Sequence, residues 1–214
     1  MIVIVLASFL VPILGGLLTL VVPRSWLKGF SQIMAFLAFL CSLLVLIILA
    51  MAGQVGFTLD LVSLANLVVF GITVDKVSAL VGLAVILVGF LIVVYSAGYL
   101  SAGNREHPEH EVKRRYYFFL LMFIGSMAGL VYSSTILGLL VFFELTGVCS
   151  WGLIGYYDDL KARKSAMKAI MTTQVASLGL YVATAVFFGL SGTFQLSALA
   201  NLTDSAKIII FIGV

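Results

Sequence analysis

Six apolar stretches, each long enough to cross a lipid bilayer, constrain this chain more than any other feature. A membrane-spanning helix needs about 20 mainly apolar residues, because the hydrocarbon core is roughly 30 Å thick and each helical residue rises about 1.5 Å. These stretches predict an all-α, polytopic bundle of transmembrane helices that forms one membrane domain over residues 1–214. They run over residues 1–22, 31–52, 77–97, 116–132, 135–156 and 166–190, and a seventh opens near Ala206 and reaches Val214.

The composition excludes the other common classes of protein. The chain is 63% hydrophobic and 10% charged, against roughly 45–50% and about 25% in a soluble domain. Its two cysteines, Cys41 and Cys149, both lie inside apolar runs and cannot build a disulfide scaffold. The first stretch lacks a basic start and is too long for the core of a cleaved signal peptide, so we expect it to stay in the membrane.

The basic residues gather on one side of the predicted bundle. Ten of the twelve Lys and Arg follow spans one, three and five, and only Lys76 and Lys207 lie on the other side. Because Lys and Arg accumulate in cytoplasmic loops, the N-terminus is predicted outside. The ten residues are Arg24, Lys28, Arg105, Lys113, Arg114, Arg115, Lys161, Arg163, Lys164 and Lys168.

The connection over residues 53–76 carries two alternating patterns. Apolar and polar residues alternate over residues 57–61 and again over residues 68–74, which is typical of half-buried strands. We therefore expect an outer hairpin that turns near Ala65 and Asn66 and caps the bundle. An irregular apolar loop packed on the membrane face is the alternative.

One acidic residue falls inside a predicted span. Eight of the nine Asp and Glu lie in predicted loops, whereas Glu144 lies nine residues after Thr135, about 13 Å along a helix and close to the bilayer midplane. Burying a carboxyl there costs at least ~2.5 kcal/mol, so it should face a protein interior or wet cavity and either hold a proton or find a cation. This predicts an intramembrane proton relay. A structural carboxyl, hydrogen-bonded to Thr146, Ser150 or a neighbouring helix, is the alternative.

A second polar surface lies on the inner half of the sixth span. Ser165, Lys168 and Thr172 share one helical face by their spacing, and this face would form the inner mouth of a hydrated path toward Glu144. The alternative is a lysine at the membrane boundary, with hydroxyls that bond back to their own helix. The polar residues of this half are Lys168, Thr172, Thr173, Gln174 and Ser177.

The segment around Glu144 resembles a known family. Phe143-Glu144 and the run over residues 147–156 are similar to the fifth-helix signature of the antiporter-like subunits of respiratory complex I, membrane-bound hydrogenases and multisubunit Na⁺/H⁺ antiporters. That signature has an aromatic residue before the Glu, then Gly, Ser, an aromatic residue and a Leu-Ile-Gly-aromatic ending. Two further segments resemble the family: Lys168-Ala169 with residues 173–177 resembles its sixth helix, and residues 75–78 resemble its outer Asp-x-Leu-Ser element with Val77 for Leu.

The resemblance implies roles for two residues. Glu144 corresponds to the key carboxylate of a proton half-channel, where it would accept a proton and pair with a lysine. Lys168 corresponds to a sixth-helix lysine on the path, at the inner-side uptake of protons. The partners implied are other membrane subunits of a respiratory, hydrogenase or antiporter complex, the lipid bilayer, and H⁺, either alone or in exchange for Na⁺. The location implied is the cell membrane of a prokaryote.

The sequence departs from the family at its end. Family members have roughly twice as many spans, and their broken seventh helix carries the lysine that pairs with the fifth-helix glutamate. Here the sequence reaches Val214 within the apolar first turns of that helix, and Lys207 lies at its outer end. We therefore expect a fragment or one piece of a split subunit, comprising roughly the first half-channel.

Other candidate sites are weak. His107 and His110 alternate with carboxylates, but Pro108 disfavours the helix that would stack the two imidazoles, and a solvated loop is the expected structure. Neither an iron–sulfur cluster nor a haem can be built from these cysteines and histidines, so no cofactor and no metal is expected. Gly125 and Gly129 form a close-packing motif that bundles also use internally. The basic loops obey membrane topology and need no nucleic acid.

The function predicted is a proton-translocating, antiporter-like subunit of a multisubunit complex, with no redox or hydrolytic residues of its own. Its mechanism would be protonation of Glu144 from a hydrated path that starts on the inner side. A structural membrane scaffold without its own ion path is the alternative, and an autonomous secondary transporter is disfavoured because no inverted second half is visible.

Overall fold

The computed structural model describes residues 1–51, 56–64, 67–101 and 114–213, and it has the predicted architecture of a helical membrane bundle. Six of its helices are long and apolar enough to cross a membrane, so this is a multi-pass membrane protein. The elements in chain order are α1 Ile2–Thr19, α2 Leu27–Met51, β1 Phe57–Leu64, β2 Leu67–Val74, α3 Lys76–Tyr99, α4 Arg114–Tyr132, α5 Ile136–Ile154, α6 Leu160–Ser191, a 3₁₀ helix Leu196–Asn201, and α7 Asp204–Gly213.

The six predicted spans are confirmed, and the largest boundary difference is at α6. The apolar stretch predicts a start at residue 166, but the helix begins at Leu160 and extends for 32 residues. Asp159 caps it by accepting a hydrogen bond from the Ala162 N–H at 2.5 Å, which satisfies one of the free amides of the first turn. At about 48 Å the helix exceeds the hydrocarbon thickness, so its basic first turns extend beyond the apolar layer.

The outer connection forms the expected hairpin. β1 and β2 pair antiparallel, with Thr58 opposite Thr73 and Asp60 opposite Gly71, and a register shift follows Asp60. The expected turn at residues 65–66 lies outside the described residues. We call the end of the bundle that carries this hairpin the hairpin end.

The helices pack in two groups. α1, α2, α3 and α4 surround a common core, whereas α5 packs on α4, α6 packs on α5, and α7 packs on α6. Gly125 and Gly129 are the points of closest approach on α4: a Cβ on Gly125 would lie 2.4 Å from Ile13 of α1, and one on Gly129 would lie 2.4 Å from Phe142 of α5. The motif therefore joins helices within this chain.

Three basic residues close the opposite end, which we call the basic end. Lys28 donates to the carbonyls of Ala97 and Leu100 at 3.1 Å each, at the C-terminus of α3. Arg114 donates to the carbonyl of Leu20 after α1 at 3.1 Å. Arg115 donates to carbonyls just after α5, those of Gly155 and Tyr156. The terminal carbonyls of three helices, which have no partner within their own helix, are thereby satisfied.

Candidate functional site

The carboxylate of Glu144 meets a polar side chain of the neighbouring helix α6. The amide Nε2 of Gln174 donates to Oε2 of Glu144 at 2.5 Å. Glu144 is half-buried, and Gln174 is exposed on the surface of this chain. The two residues lie at the same depth because α5 and α6 run antiparallel on either side of a short turn. The pair is therefore an interhelical contact near the middle of both spans.

The hydroxyls of α5 do not hold this carboxylate. Thr146 donates to the carbonyl of Phe143 at 2.7 Å, and Ser150 donates to the carbonyl of Thr146 at 2.9 Å. Both hydroxyls thus bond back to their own helix, as Ser and Thr often do. The hydrogen bond to Glu144 therefore comes from Gln174 of the neighbouring helix α6, and not from Thr146 or Ser150 of its own helix.

The second oxygen of the Glu144 carboxylate has a different environment. Oε1 is buried and accepts no hydrogen bond from any residue that the structure describes. The Tyr181 hydroxyl is close enough to interact with this carboxylate, and Tyr181 lies two helical turns beyond Gln174 on the same face of α6. Gln174 and Tyr181 together present polar groups to Glu144, and their spacing of seven residues is the signal that could have identified them in the sequence.

Lys168 lies on another face of α6. It is exposed and, within the described parts of the chain, makes no ion pair. Six residues separate it from Gln174, which places it about 9 Å nearer the basic end and roughly a third of a turn around the helix. Its side chain lines an open groove of about 750 Å³ together with Lys161, Lys164 and Ser165.

The hydroxyls predicted to share the Lys168 face behave differently from one another. Ser165 lines the same groove as Lys168, whereas the Thr172 hydroxyl donates to the carbonyl of Lys168 at 2.9 Å. Thr173 and Ser177 also bond back to α6. The structure therefore brings together Glu144 and Gln174 and leaves Lys168 apart from them.

A cavity opens at the basic end of the seam between α5 and α6. It measures about 410 Å³ and reaches from α4 across to α6. Gly152 and Gly155 line it from the end of α5, and Met167 lines it from α6, two helical turns nearer the basic end than Gln174 and on the same face. At its rim the Asp158 carboxylate accepts from Arg163 Nε at 2.9 Å and lies 3.8 Å from Arg115. The cavity and the Glu144–Gln174 pair thus belong to the same helix–helix seam.

Small side chains line this seam between the cavity and the pair. A Cβ on Gly147 would lie 3.8 Å from the Thr173 hydroxyl, and one on Gly155 would lie 3.4 Å from the Ala166 methyl. The contact at Gly147 is an ordinary van der Waals distance, whereas Gly155 is tighter because the Trp151 carbonyl oxygen would lie 3.3 Å from its Cβ. The two helices therefore approach each other through small residues at both positions.

Metal ligands do not cluster in the described parts of the chain. No group of three or more His, Cys, Asp and Glu side chains there could hold a metal ion. The region of His107 and His110, where the sequence suggested a weak metal motif, lies outside the described residues. Cys41 and Cys149 are both free thiols.

Two family models match the chain. The model described as "NADH:quinone oxidoreductase/Mrp antiporter, TM" matches residues 133–214, which include Glu144 and all of α6. The model described as "NADH-Ubiquinone oxidoreductase (complex I), chain 5 N-terminus" matches residues 63–117. The two matches together extend over β2, α3, α5, α6 and α7.

Relatives that are named chain 5 or subunit 5 of an NAD(P)H-quinone oxidoreductase match part of the chain. The NAD(P)H-quinone oxidoreductase chain 5 of Picosynechococcus sp. (strain ATCC 27264 / PCC 7002 / PR-6) is 35% identical over 132 residues, which are 61% of this chain and 19% of that protein. The chloroplastic NAD(P)H-quinone oxidoreductase subunit 5 of Cichorium intybus is 31% identical over 137 residues, 64% of this chain and 18% of that protein. The matched part thus spans less than a fifth of each relative's length.

Solved structures share the fold over almost the whole chain. A chain of respiratory complex I from Thermus thermophilus with bound NADH superposes with a TM-score of 0.76 at 25% identity, over 98% of this chain and 42% of that chain. A chain of the Mrp complex from Dietzia sp. DQ12-45-1b has a TM-score of 0.79 at 20% identity, over 98% and 22%. At 20% identity the second likeness concerns the fold alone.

Proposed function

Because this chain belongs to the family of antiporter-like membrane subunits of the NADH:quinone oxidoreductase and Mrp antiporter type, we propose that it forms the first half-channel of a proton-translocating subunit. Its proton relay is the carboxyl of Glu144. Other membrane subunits of a multisubunit complex are its partners, and the complex moves H⁺, either alone or in exchange for Na⁺.

The observation that carries this proposal is the state of the Glu144 carboxylate. One oxygen accepts a hydrogen bond from Gln174 at 2.5 Å, while the buried Oε1 accepts none among the described residues. A carboxyl that Gln174 orients through Oε2, with the Tyr181 hydroxyl nearby and no hydrogen bond to Oε1 among the described residues, can take up and release a proton without losing its position. A buried oxygen without a partner is costly, so protonation or a bound water at Oε1 would lower the energy of the site.

The path to Glu144 is proposed to start at the basic end. The cavity of about 410 Å³ beside Arg115 and Asp158 lies on the same seam as the Glu144–Gln174 pair, and water that entered along this seam would connect the two. Lys168 is proposed to act at the uptake side rather than as a direct partner, since it lies about 9 Å nearer the basic end than Gln174. Its ammonium group would hold water by hydrogen bonds at the mouth, along which a proton can enter the seam.

A gating cation is proposed to come from another part of the subunit. The ion pairs of the described residues join Asp158 to Arg115 and Arg163, and Asp204 to Lys207, and none of them includes Glu144. A cation that approached Glu144 would favour the charged carboxylate, and its withdrawal would favour the protonated form. Movement of that cation would therefore switch the relay.

The central test is the substitution Glu144→Gln in the complete complex, followed by proton uptake into inverted membrane vesicles. Gln keeps the shape and can still bond to Gln174 but cannot exchange a proton, so we expect assembly to be retained and proton uptake to be abolished or strongly reduced. Asp159→Asn is the matched control: it makes the same change from carboxylate to amide at the basic end, and Asn caps a helix as well as Asp does. Unchanged uptake in Glu144→Gln would refute the proposal.

Two further variants separate the roles within the site. Lys168→Ala should give a smaller loss of uptake than Glu144→Gln, because it removes a charge at the mouth and leaves the relay intact. Gln174→Leu should also lower uptake, because it removes the group that orients Oε2. If Lys168→Ala reduced uptake as much as Glu144→Gln, the lysine would belong to the relay itself.

A structural scaffold is the second candidate, and the short Gln174–Glu144 hydrogen bond favours it. In that case the carboxyl only ties α5 to α6, and Glu144→Ala would impair assembly of the complex while the assembled fraction pumped normally. Quantifying the assembled complex by native gel electrophoresis beside the uptake assay distinguishes the two functions.

A further inference from the structure

A polar cavity lies at the hairpin end, and none of its lining residues belongs to the groups assigned above to the proton relay. It measures about 630 Å³ and is enclosed by the hairpin, the end of α4, the start of α3 and the 3₁₀ segment. Among the described residues, its lining contains neither lysine nor arginine. Nine of its eleven lining residues carry a polar side chain: Thr58, Asp60, Thr73, Asp75, Ser78, Ser133, Ser134, Gln195 and Ser197.

Strand alternation explains why these side chains meet. Thr58 and Asp60 lie on one face of β1, and Thr73 lies opposite Thr58 on the same face of the hairpin. The two threonine hydroxyls are 3.2 Å apart and bond to each other. Asp75 caps helix α3, because its Oδ1 accepts a hydrogen bond from the Ser78 N–H at 2.6 Å. Asp60, in contrast, lies within β1 and caps no helix.

One hydroxyl in the cavity wall has no partner. Ser134 is only 7% exposed, and its Oγ bonds to no atom of the described residues. Its backbone is held on both sides, since its N–H donates to Gly71 at 3.0 Å and its carbonyl accepts from Leu196 at 2.9 Å. The hydroxyl is therefore fixed in place beside the hairpin. A buried hydroxyl without a hydrogen bond is costly and calls for a ligand.

Three oxygens converge beside Gly71 because this residue has no side chain. A Cβ built on Gly71 would lie 2.4 Å from Ser134 Oγ, 3.0 Å from the Leu59 carbonyl oxygen and 3.3 Å from Asp60 Oδ1. Ser134 Oγ and Asp60 Oδ1 therefore lie no more than 5.7 Å apart, the sum of their distances to that point. Any larger residue at position 71 would fill this cradle.

The Asp60 carboxylate is held loosely at present. Its neighbours are the two hydrogens of the Gln195 amide, with Nε2 at 3.3 Å from Oδ1 and 3.5 Å from Oδ2. No ion pair with Asp60 exists among the described residues. Both distances are at the long limit for a hydrogen bond, and Asp60 is exposed, so the protein itself compensates this negative charge only weakly.

We infer that the cradle above Gly71 binds a small, hard, monovalent cation through Asp60, Ser134 and the Leu59 carbonyl. Oxygen ligands of this kind suit alkali and alkaline-earth cations rather than transition metals. The charge balance favours a single positive charge, because Asp75 lies four residues beyond Gly71, about 13 Å along the hairpin. Water completes the coordination shell from the open side of the cavity.

Sodium-NMR relaxation of the complete complex in detergent tests this inference, with choline chloride holding the ionic strength constant. We expect saturable Na⁺ binding in the millimolar range. Asp60→Asn should weaken it by at least about tenfold and Ser134→Ala by about threefold, which correspond to the loss of a charged and of a neutral ligand. Asp75→Asn is the matched control: it removes the other carboxylate of the cavity, keeps the helix cap, and should leave affinity unchanged.

Three results would overturn the inference. Equal weakening by Asp60→Asn and Asp75→Asn would indicate a diffuse negative field rather than a site. Undiminished binding in Asp60→Asn would exclude Asp60 as a ligand, provided that thermal melting shows the variant to be folded. Displacement of Na⁺ by Ca²⁺ at a hundredfold lower concentration would assign the cradle to a divalent ion. Glu144→Gln should not alter Na⁺ binding, so the proposal of a proton relay and the proposal of a cation site can be refuted independently.

Discussion

Replacing Gly125 by alanine should destabilise the bundle where α4 crosses α1. The added Cβ would lie 2.4 Å from Cγ1 of Ile13, 2.8 Å from the Phe9 carbonyl oxygen and 3.1 Å from the Ile13 backbone nitrogen. A side chain alone could rotate away, but two of these three atoms belong to the backbone of α1. The two helices must therefore separate for alanine to fit.

The expected magnitude combines two opposing effects. Overpacking a close contact costs about 1–3 kcal/mol, while replacing glycine by alanine within a helix gains about 0.5–1 kcal/mol. Because the contact involves backbone, we expect the upper half of the packing cost and a net loss of about 1–2.5 kcal/mol in the free energy of unfolding. A gain is expected at Gly189 of α6, since nothing lies within 4 Å of a Cβ there.

The assay is denaturation of the purified protein in mixed micelles, with SDS as denaturant and helical circular dichroism as the signal. Gly125→Ala should unfold at a lower SDS fraction than the native chain, and Gly189→Ala at the same or a higher one. If the two variants unfolded together, α1 and α4 would have freedom to move apart that this packing excludes, and the reasoning would be wrong.

Two further predictions concern the ends of helices. Asp75→Ala should cost about 1 kcal/mol of stability by removing the cap of α3. The Ser78 backbone N–H lowers the pKa of Asp75 in the fold, so the stabilisation by its charge is full at neutral pH and is lost as the pH falls from about 4 through that lower pKa. A series of unfolding measurements against pH should lose this dependence in Asp75→Asn. Asp158 has a φ of 65° in the turn before α6, a conformation that Asn tolerates better than Ala. Asp158→Ala should therefore be less stable than Asp158→Asn by about 1 kcal/mol in chemical unfolding. Equal stabilities of the two variants would argue against strain in this turn.

The sequence predicts the spans and the hairpin because both depend on local patterns. Apolar length is enough to identify a helix that must satisfy its own backbone in lipid. The alternation over residues 57–61 and 68–74 similarly specifies strands that have one polar face. The start of α6 was predicted six residues late, because the charged turn over residues 160–165 adds no hydropathy although Asp159 caps it.

The partners of the site are harder to predict. Glu144 could be identified as an isolated intramembrane acid, but α6 is apolar on most of its faces, and its rotation about its axis is fixed only by packing against α5. Periodicity therefore could not decide whether Lys168 or Gln174 faces Glu144. The cradle above Gly71 depends on backbone hydrogen bonds between residues 71, 134 and 196. Because these residues lie far apart in the sequence, no local pattern predicts the cradle.

The basic residues at one end of the bundle have a consequence for how the protein is made. Insertion into a membrane depends on the number of positive charges in a loop and little on their position within it. Lys28, Arg114 and Arg115, however, each reach particular carbonyls at the ends of α3, α1 and α5. Moving one of these charges a few residues along its loop would therefore leave the orientation of the chain correct, yet yield a protein whose helices are inserted properly and fail to lock together.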